Sequence, residues 1–222
     1  MKRSLSCSSS GNKKRKTRRE AESRLPRLVV FDLDKTIWPH FIYEHFPQVT
    51  FKRGLESGTA YAVPKSAQES STRRTEIRVF ADIVKILEEL KQKNILIGIS
   101  SASPSFAHAR SALKALQIYK YFHPGLVVIQ PSDAGKVDHF KKLVELHNSA
   151  MAERPIKFKN ILFFDDMWHN VAKVKKLGVH AVKVDEKQGV DYSLFTNSLS
   201  KYKEKILSSE MLHRYFFKVK PS

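Results

Sequence analysis

Five short apolar runs recur along the chain, and they restrict its fold more than any other feature. LVVF (28–31), ILIGIS (95–100), LVVIQ (126–130), NILFFDD (160–166) and HAVKVD (180–185) are too short for buried helices, and the first four are nearly unbroken in their apolar character. Unbroken apolar strands, unlike alternating ones, are covered on both faces, which is the signature of a parallel sheet. The stretches between them carry helical periodicity. EIRVFADIVKILEELKQKN (76–94) places Val79, Phe80, Ile83, Val84, Ile86, Leu87 and Leu90 on one face and predicts a single amphipathic helix. SPSFAHARSALKAL (103–116) predicts a helix with Ser103 as N-cap and Pro104 in its first position. Further helices are expected at 135–150, at 169–178 (closed by Gly178) and at 191–207.

Strand and helix therefore alternate with short links. The expected fold class is α/β, a central parallel sheet flanked by helices on both faces, with right-handed crossovers. Residues 39–77 interrupt the alternation. QVTFK and TAYAV, around Gly54 and Gly58, predict a small β-hairpin flap inserted after the first strand. Residues 1–24 read as a disordered basic tail, 25–208 as the folded domain and 209–222 as a C-terminal extension.

Charge is distributed unevenly. The net charge is +18, and residues 1–27 hold ten Lys/Arg against two Glu. The run KKRKTRR (Lys13–Arg19) is consistent with nuclear import or with contact to nucleic acid, so the expected compartment is cytoplasmic or nuclear or both. A basic surface also suits phosphorylated or otherwise acidic partners. The single cysteine, Cys7, excludes an internal disulfide and fits a reducing compartment. No run approaches the roughly 20 apolar residues of a membrane helix, and a monomer is expected.

In open parallel sheets, ligands bind beyond the carboxyl ends of the strands. The residues predicted there form a chemically coherent set. The first strand ends in Asp32-Leu33-Asp34, the second in Ser100-Ser101 ahead of a helix, and the fourth in Asp165-Asp166; Lys136 opens the helix after the third. Carboxylates that follow buried apolar runs repel one another and lose hydration, a cost that a bound divalent cation would offset. Mg²⁺ takes a few carboxylates, waters and phosphate oxygens. One Asp can attack phosphorus, a second two residues on can serve as general acid and base, and Lys136 with the helix N-terminus behind Ser100 can neutralise phosphoryl oxygens.

These residues resemble the haloacid dehalogenase (HAD) superfamily of phosphohydrolases. FDLDKT resembles its first motif, ILIGIS its second, Lys136 its third and FFDD its fourth, in order over about residues 28–185. FDLDKTIWP, SSAS, GKVDHF and FFDDMWHN are more closely similar to the magnesium-dependent phosphatase-one subgroup. The resemblance implies a Rossmann-like HAD fold without a large cap domain, and an Mg²⁺-dependent phosphatase acting on phosphotyrosine-like protein or sugar phosphate substrates. It implies Asp32 as nucleophile, Asp34 as general acid/base, and Asp32, the Asp34 carbonyl, Asp165 and Asp166 around the metal. Ser100, Ser101 and Lys136 would hold the phosphate, with Thr36 and Asn170 in support. Lys35 stands where the subgroup often has Tyr, and Ser101 where it often has Arg.

Other residues carry less. Cys7 lies in a Ser-rich tail rather than a phosphate-cradling loop, so thiolate chemistry is excluded. The nine histidines show no zinc-ligand spacing, and His139 and His169 are expected to cap or to be solvated. Trp38 and Trp168 are expected at the site mouth, and Arg73, Arg74 and Arg78, near the flap, are candidate substrate contacts, though a solvated helix start is the favoured expectation for them. The alternative reading is a basic nuclear nucleic-acid- or protein-binding protein on an inactive phosphatase fold.

Overall fold

The computed structural model describes residues 24–66 and 74–218, the side chains of residues 213, 214 and 216–218 excepted. The tail with Cys7 and Lys13–Arg19, and Arg73 of the flap, lie outside these residues.

Five parallel strands form the central sheet in the order β6-β5-β1-β7-β8. They are β1 (Leu28–Phe31), β5 (Leu96–Ser101), β6 (Val127–Ile129), β7 (Ile161–Asp165) and β8 (His180–Lys183). The chain steps outward from β1 through β5 to β6, then returns to the other side of β1 for β7 and β8. The reversal lies between β1 and β7, where such sheets open a crevice.

Five of the helices connect or flank these strands: α2 (Ile83–Gln92), α3 (Phe106–Ala115), α4 (Lys136–Ala150), α5 (Trp168–Lys175) and α6 (Tyr192–Lys218). Strand parity divides the core between them. Val29, Phe31, Ile97, Ile99 and Phe164 point to the α2/α3/α6 side. Leu28, Val30, Ile161 and Phe163 point to the α4/α5 side. Phe31 and Phe164 stack with centroids 5.4 Å apart, and each fully buried aromatic contributes roughly 1.5–3 kcal/mol. The last helix runs without a break across residue 208, where a boundary was expected.

The insert is larger than a hairpin. After a short helix, α1 (Ile42–His45), strands β2 (Val49–Arg53), β3 (Thr59–Pro64) and β4 (Thr75–Arg78) form an antiparallel sheet in the order β2-β3-β4. The expected helix from 76 is thus divided: residues 75–78 are strand, and helix begins only at Ile83. Val79 and Phe80 matched helical spacing because both the strand end and the helix bury against one core. The flap is not loose. Phe51, Ala60, Ala62 and Ile77 are buried in that core. The Gly58 N–H donates to the Leu116 carbonyl at 2.8 Å, and the Gln117 amide donates to the carbonyls of Gly54 and Glu56, each at 3.1 Å.

The N-terminus of α3 also differs from expectation. Ser105, not Ser103, is its N-cap, accepting the His108 N–H at 3.3 Å. Pro104 therefore precedes the helix.

Candidate active site

Register brings the strand ends into one row. Phe31 pairs with Ile99 on one side and with Phe164 on the other, so Asp32, Ser100 and Asp165 come level. The same parity turns their side chains toward α4. Lys136, the first residue of α4, reaches into this row. Its ammonium contacts the Asp32 carboxylate and the Ser100 carbonyl and lies 3.6 Å from Asp165 Oδ2. Lys136 is only 3% exposed. The residue before it, Gly135, has φ +65 at the N-cap of α4, a conformation that glycine adopts without strain.

Asp34 is set by the turn after β1. Lys35 occupies the left-handed region (φ 59), and the amides of Thr36 and Ile37 fold back on the Leu33 carbonyl. The Trp38 indole N–H donates to Asp34 Oδ1 at 2.6 Å, and the Ile42 N–H donates to the same oxygen at 3.1 Å. Trp38 is therefore a buried brace rather than a residue of the mouth. Thr36 is fully buried and its hydroxyl finds no hydrogen-bond partner among the described residues, while its carbonyl accepts the Val190 N–H at 3.2 Å.

Asp165 is the most constrained acid. Asn170 donates to both its oxygens, at 3.1 and 3.2 Å, and the Met167 N–H donates to Oδ1 at 2.7 Å. Asp166 instead lines a cleft of about 420 Å³ with Asp32, Asp34, Ser101, Lys136 and Asn170. Phe41, Tyr43, Pro104 and Met167 supply its apolar walls.

Ser100 and Ser101 have different places. The hydroxyl of Ser100, on the α4 side, bonds His139 Nδ1 at 3.1 Å in the interior, and only its carbonyl meets Lys136. Ser101 is the serine that lines the cleft, and its hydroxyl accepts the Ser103 N–H at 3.3 Å. His139 is fully buried, not solvated. His169 and Trp168 are exposed, Trp168 by 71%. Arg74 lies over the Tyr61 ring at 4.4 Å and Arg78 pairs with Glu76 at 2.7 Å, so both are engaged on the flap sheet.

Among the described residues four aspartates gather here around the Lys136 ammonium, with Glu44 also lining the cleft, and their protonation shows the imbalance. Burial pushes Asp32 up to about 8 against the pull of Lys136. Burial, with the Asp165 charge, pushes Asp166 up to about 6. Burial also raises Asp34, opposed by its bond to Trp38. Among the described residues no group of three or more His, Cys, Asp or Glu side chains is placed to hold a metal ion by itself. An Mg²⁺ ion does not require one, since it takes one or two carboxylates and completes its octahedron with water and phosphate oxygens. An all-oxygen donor set with uncompensated negative charge, open to a cleft, fits that ion.

Compared with known protein families, residues 24–205 match the acid phosphatase family. The chain belongs to this family. Among its relatives, magnesium-dependent phosphatase 1 of Homo sapiens is 26% identical over 167 residues, covering 73% of this chain and 80% of that protein. A HAD-like hydrolase superfamily protein of Schizosaccharomyces pombe is 29% identical over 175 residues, covering 77% and 92%. Among solved structures, a HAD-superfamily hydrolase from Ehrlichia chaffeensis superimposes with TM-score 0.51 at 11% identity, covering 80% of this chain and 98% of that one. The β-phosphoglucomutase of Clostridium difficile gives TM-score 0.51 at 16% identity, covering 82% and 99%. At these identities the structural likeness concerns the fold. The family match together with these relatives makes the chain a phosphatase of the HAD type.

Proposed function

We propose that this cleft hydrolyses phosphomonoesters with Mg²⁺ through an aspartyl-phosphate on Asp32, and that its substrates are phosphotyrosine-like groups of proteins. The observation that carries the reading is the contact of Lys136 with Asp32 at the switch point of the sheet, with Asp34 held two residues away in the same cleft.

In this mechanism an oxygen of Asp32 attacks phosphorus, and the ester oxygen departs with a proton from Asp34. Asp34 is built for that step. One carboxylate oxygen is fixed by Trp38 and Ile42, and burial favours its protonated form. Water deprotonated by Asp34 then attacks phosphorus and frees Asp32. Lys136 and Ser101 would hold the phosphoryl oxygens, Ser101 taking the role expected of Ser100. Asp32, the Asp34 carbonyl, Asp165 and Asp166 would hold Mg²⁺, which when bound supplies positive charge to the carboxylates and the phosphoryl group. The name of the human relative supports this ion. Asn170 keeps Asp165 in place.

The rim supports aryl phosphates over sugar phosphates. Phe41, Tyr43, Met167 and Trp168 are 38%, 42%, 45% and 71% exposed, a concentration of apolar surface at the cleft and beside it that an aryl group on a protein would cover. The test is turnover of p-nitrophenyl phosphate with Mg²⁺, with EDTA and in Asp32→Asn. Mg²⁺-dependent activity that Asp32→Asn abolishes is expected. Activity undiminished in Asp32→Asn would overturn the mechanism.

A further inference from the structure

A second groove lies away from the catalytic cleft, along the outer edge of the sheet. β8 is the edge strand, paired only to β7. Beside it, between α5 and α6, is a trough of about 500 Å³ lined by apolar residues that include Ala181, Val182 and Leu194. Four lysines also line it, Lys175, Lys183, Lys201 and Lys205, and no carboxylate does. All four are exposed, and among the described residues none pairs with an acid. The acids that bracket this region are otherwise engaged: Asp185 accepts the Lys187 N–H at 2.8 Å and Asp191 the Leu194 N–H at 2.6 Å.

We infer that this trough docks an extended acidic segment of a partner protein, which adds to the edge of β8 as a further strand. On this edge the Ala181 N–H is already taken by the Val179 carbonyl at 3.1 Å, and the remaining backbone groups of a strand edge are satisfied best by another polypeptide backbone. Apolar lining accepts alternate side chains of such a strand, and the lysines select carboxylates or phosphates on the others. The same lysines repel a second copy of this chain, whose net charge is +18. A nucleic acid fits less well, because the one tyrosine of the trough, Tyr202, is 2% exposed and its ring packs on His180 with centroids 4.6 Å apart, leaving no stacking platform.

The trough and the catalytic cleft share no lining residue, but the carboxyl end of β8 lies beside the carboxyl end of β7. Lys183 is level with Asp165 in the β7–β8 ladder, and its charge acts on Asp166, which lines that cleft. An acidic stretch on β8 would therefore sit beside a phosphorylated residue in the cleft. The inference deepens the phosphoprotein reading and rests on it for the purpose of docking, not for the binding itself.

The experiment uses the full chain carrying Asp32→Asn, so that binding is read without turnover. The probe is a fluorescein-labelled peptide of alternating Glu and Val, measured by anisotropy beside its alternate-residue N-methylated form and an oligo-dT of equal charge. Saturable binding of the peptide is expected, weakened roughly tenfold or more by the combined changes Lys175→Glu, Lys201→Glu and Lys205→Glu, and by N-methylation. On the otherwise wild-type chain, the same three changes leave p-nitrophenyl phosphate turnover intact. Oligo-dT binding as tight as the peptide, indifference to N-methylation, or loss on deleting residues 1–24 but not on the lysine changes would each overturn the inference. Failure of the phosphatase reading would appear separately, as absent turnover with peptide binding preserved.

Discussion

The indole N–H of Trp38 and the carboxylate of Asp34 are joined by a 2.6 Å hydrogen bond, four residues apart across a tight turn. The bond favours the ionised acid, while burial favours the protonated one. Trp38→Phe removes the donor and keeps most of the apolar volume. Asp34 should then stay protonated to higher pH, so the alkaline limb of kcat against pH moves upward. A parallel loss of kcat at all pH values, with no movement of the limb, would show that Trp38 serves packing alone.

Among the described residues Lys136 is the ammonium that meets Asp32 and lies 3.6 Å from Asp165. Lys136→Met leaves buried carboxylates without their partner. Activity should fall by roughly 10²–10³-fold, as when a transition-state donor is removed. Stability should fall as well, by an amount of order 3 kcal/mol at pH 7. Urea denaturation together with turnover checks both. Unchanged stability would mean that the pair is solvated in solution.

Mg²⁺ should raise the melting temperature at pH 8 and do so much less at pH 5.5. Asp32 at about 8 and Asp166 at about 6 hold protons as pH falls, and those protons compete with the ion. An ion at a hundred times its Kd adds about 2.7 kcal/mol. Thermal shift against Mg²⁺ concentration at the two pH values, with Asp32→Asn as control, measures it. An equal shift in the control would place the ion elsewhere.

His139 gives a pH effect of the opposite sign to the raised acids. Burial, with the nearby Lys136 charge, pushes it down to about 4, against about 6.5 in the unfolded chain. Between those values only the unfolded state binds the proton, so stability from His139 is present above pH 6.5 and is lost as pH falls toward 4. The full loss is of order 3 kcal/mol. For Asp32 and Asp166 the folded state binds the extra proton, so their contribution rises as pH falls. Comparing urea midpoints of wild type and His139→Asn at pH 7 and pH 5 isolates the histidine. Wild type should lose more than the variant, and equal losses would refute the assignment.

The aromatic rim sets the fifth expectation. Phe41→Ala with Tyr43→Ala should raise KM for a phosphotyrosyl peptide by roughly 3–10-fold, the value of one or two lost aromatic contacts. KM for a sugar phosphate should not change. An equal rise for both substrates would remove the aryl preference.

The sheet and its acids were legible because a strand buried on both faces is unbroken in its apolar character, and a charge after such a run stands out. LVVF before Asp32 and ILFF before Asp165 needed nothing beyond the chain itself. Ser100 and Ser101 were not separable that way. Which hydroxyl meets the cleft depends on strand parity at the end of β5 and on His139, 39 residues later, taking the first one. The β4–α2 junction was read through because a strand end and a helix face buried in one core mimic a continuous period. Trp38 showed its role only once the turn at Lys35 brought its indole onto Asp34.

The three hydrogen bonds that fasten the flap to the end of α3 have a kinetic meaning. Lifting the flap would bring Phe51, Ala60, Ala62 and Ile77 into water, and the phenylalanine alone costs roughly 1.5–3 kcal/mol. Enzymes with a moving lid gain a checkpoint, because only a substrate that lets the chamber shut is processed. The described strands of this flap stand instead as a fixed wall, so on the proposed reading a substrate enters beside them by diffusion and does not have to wait for them to move.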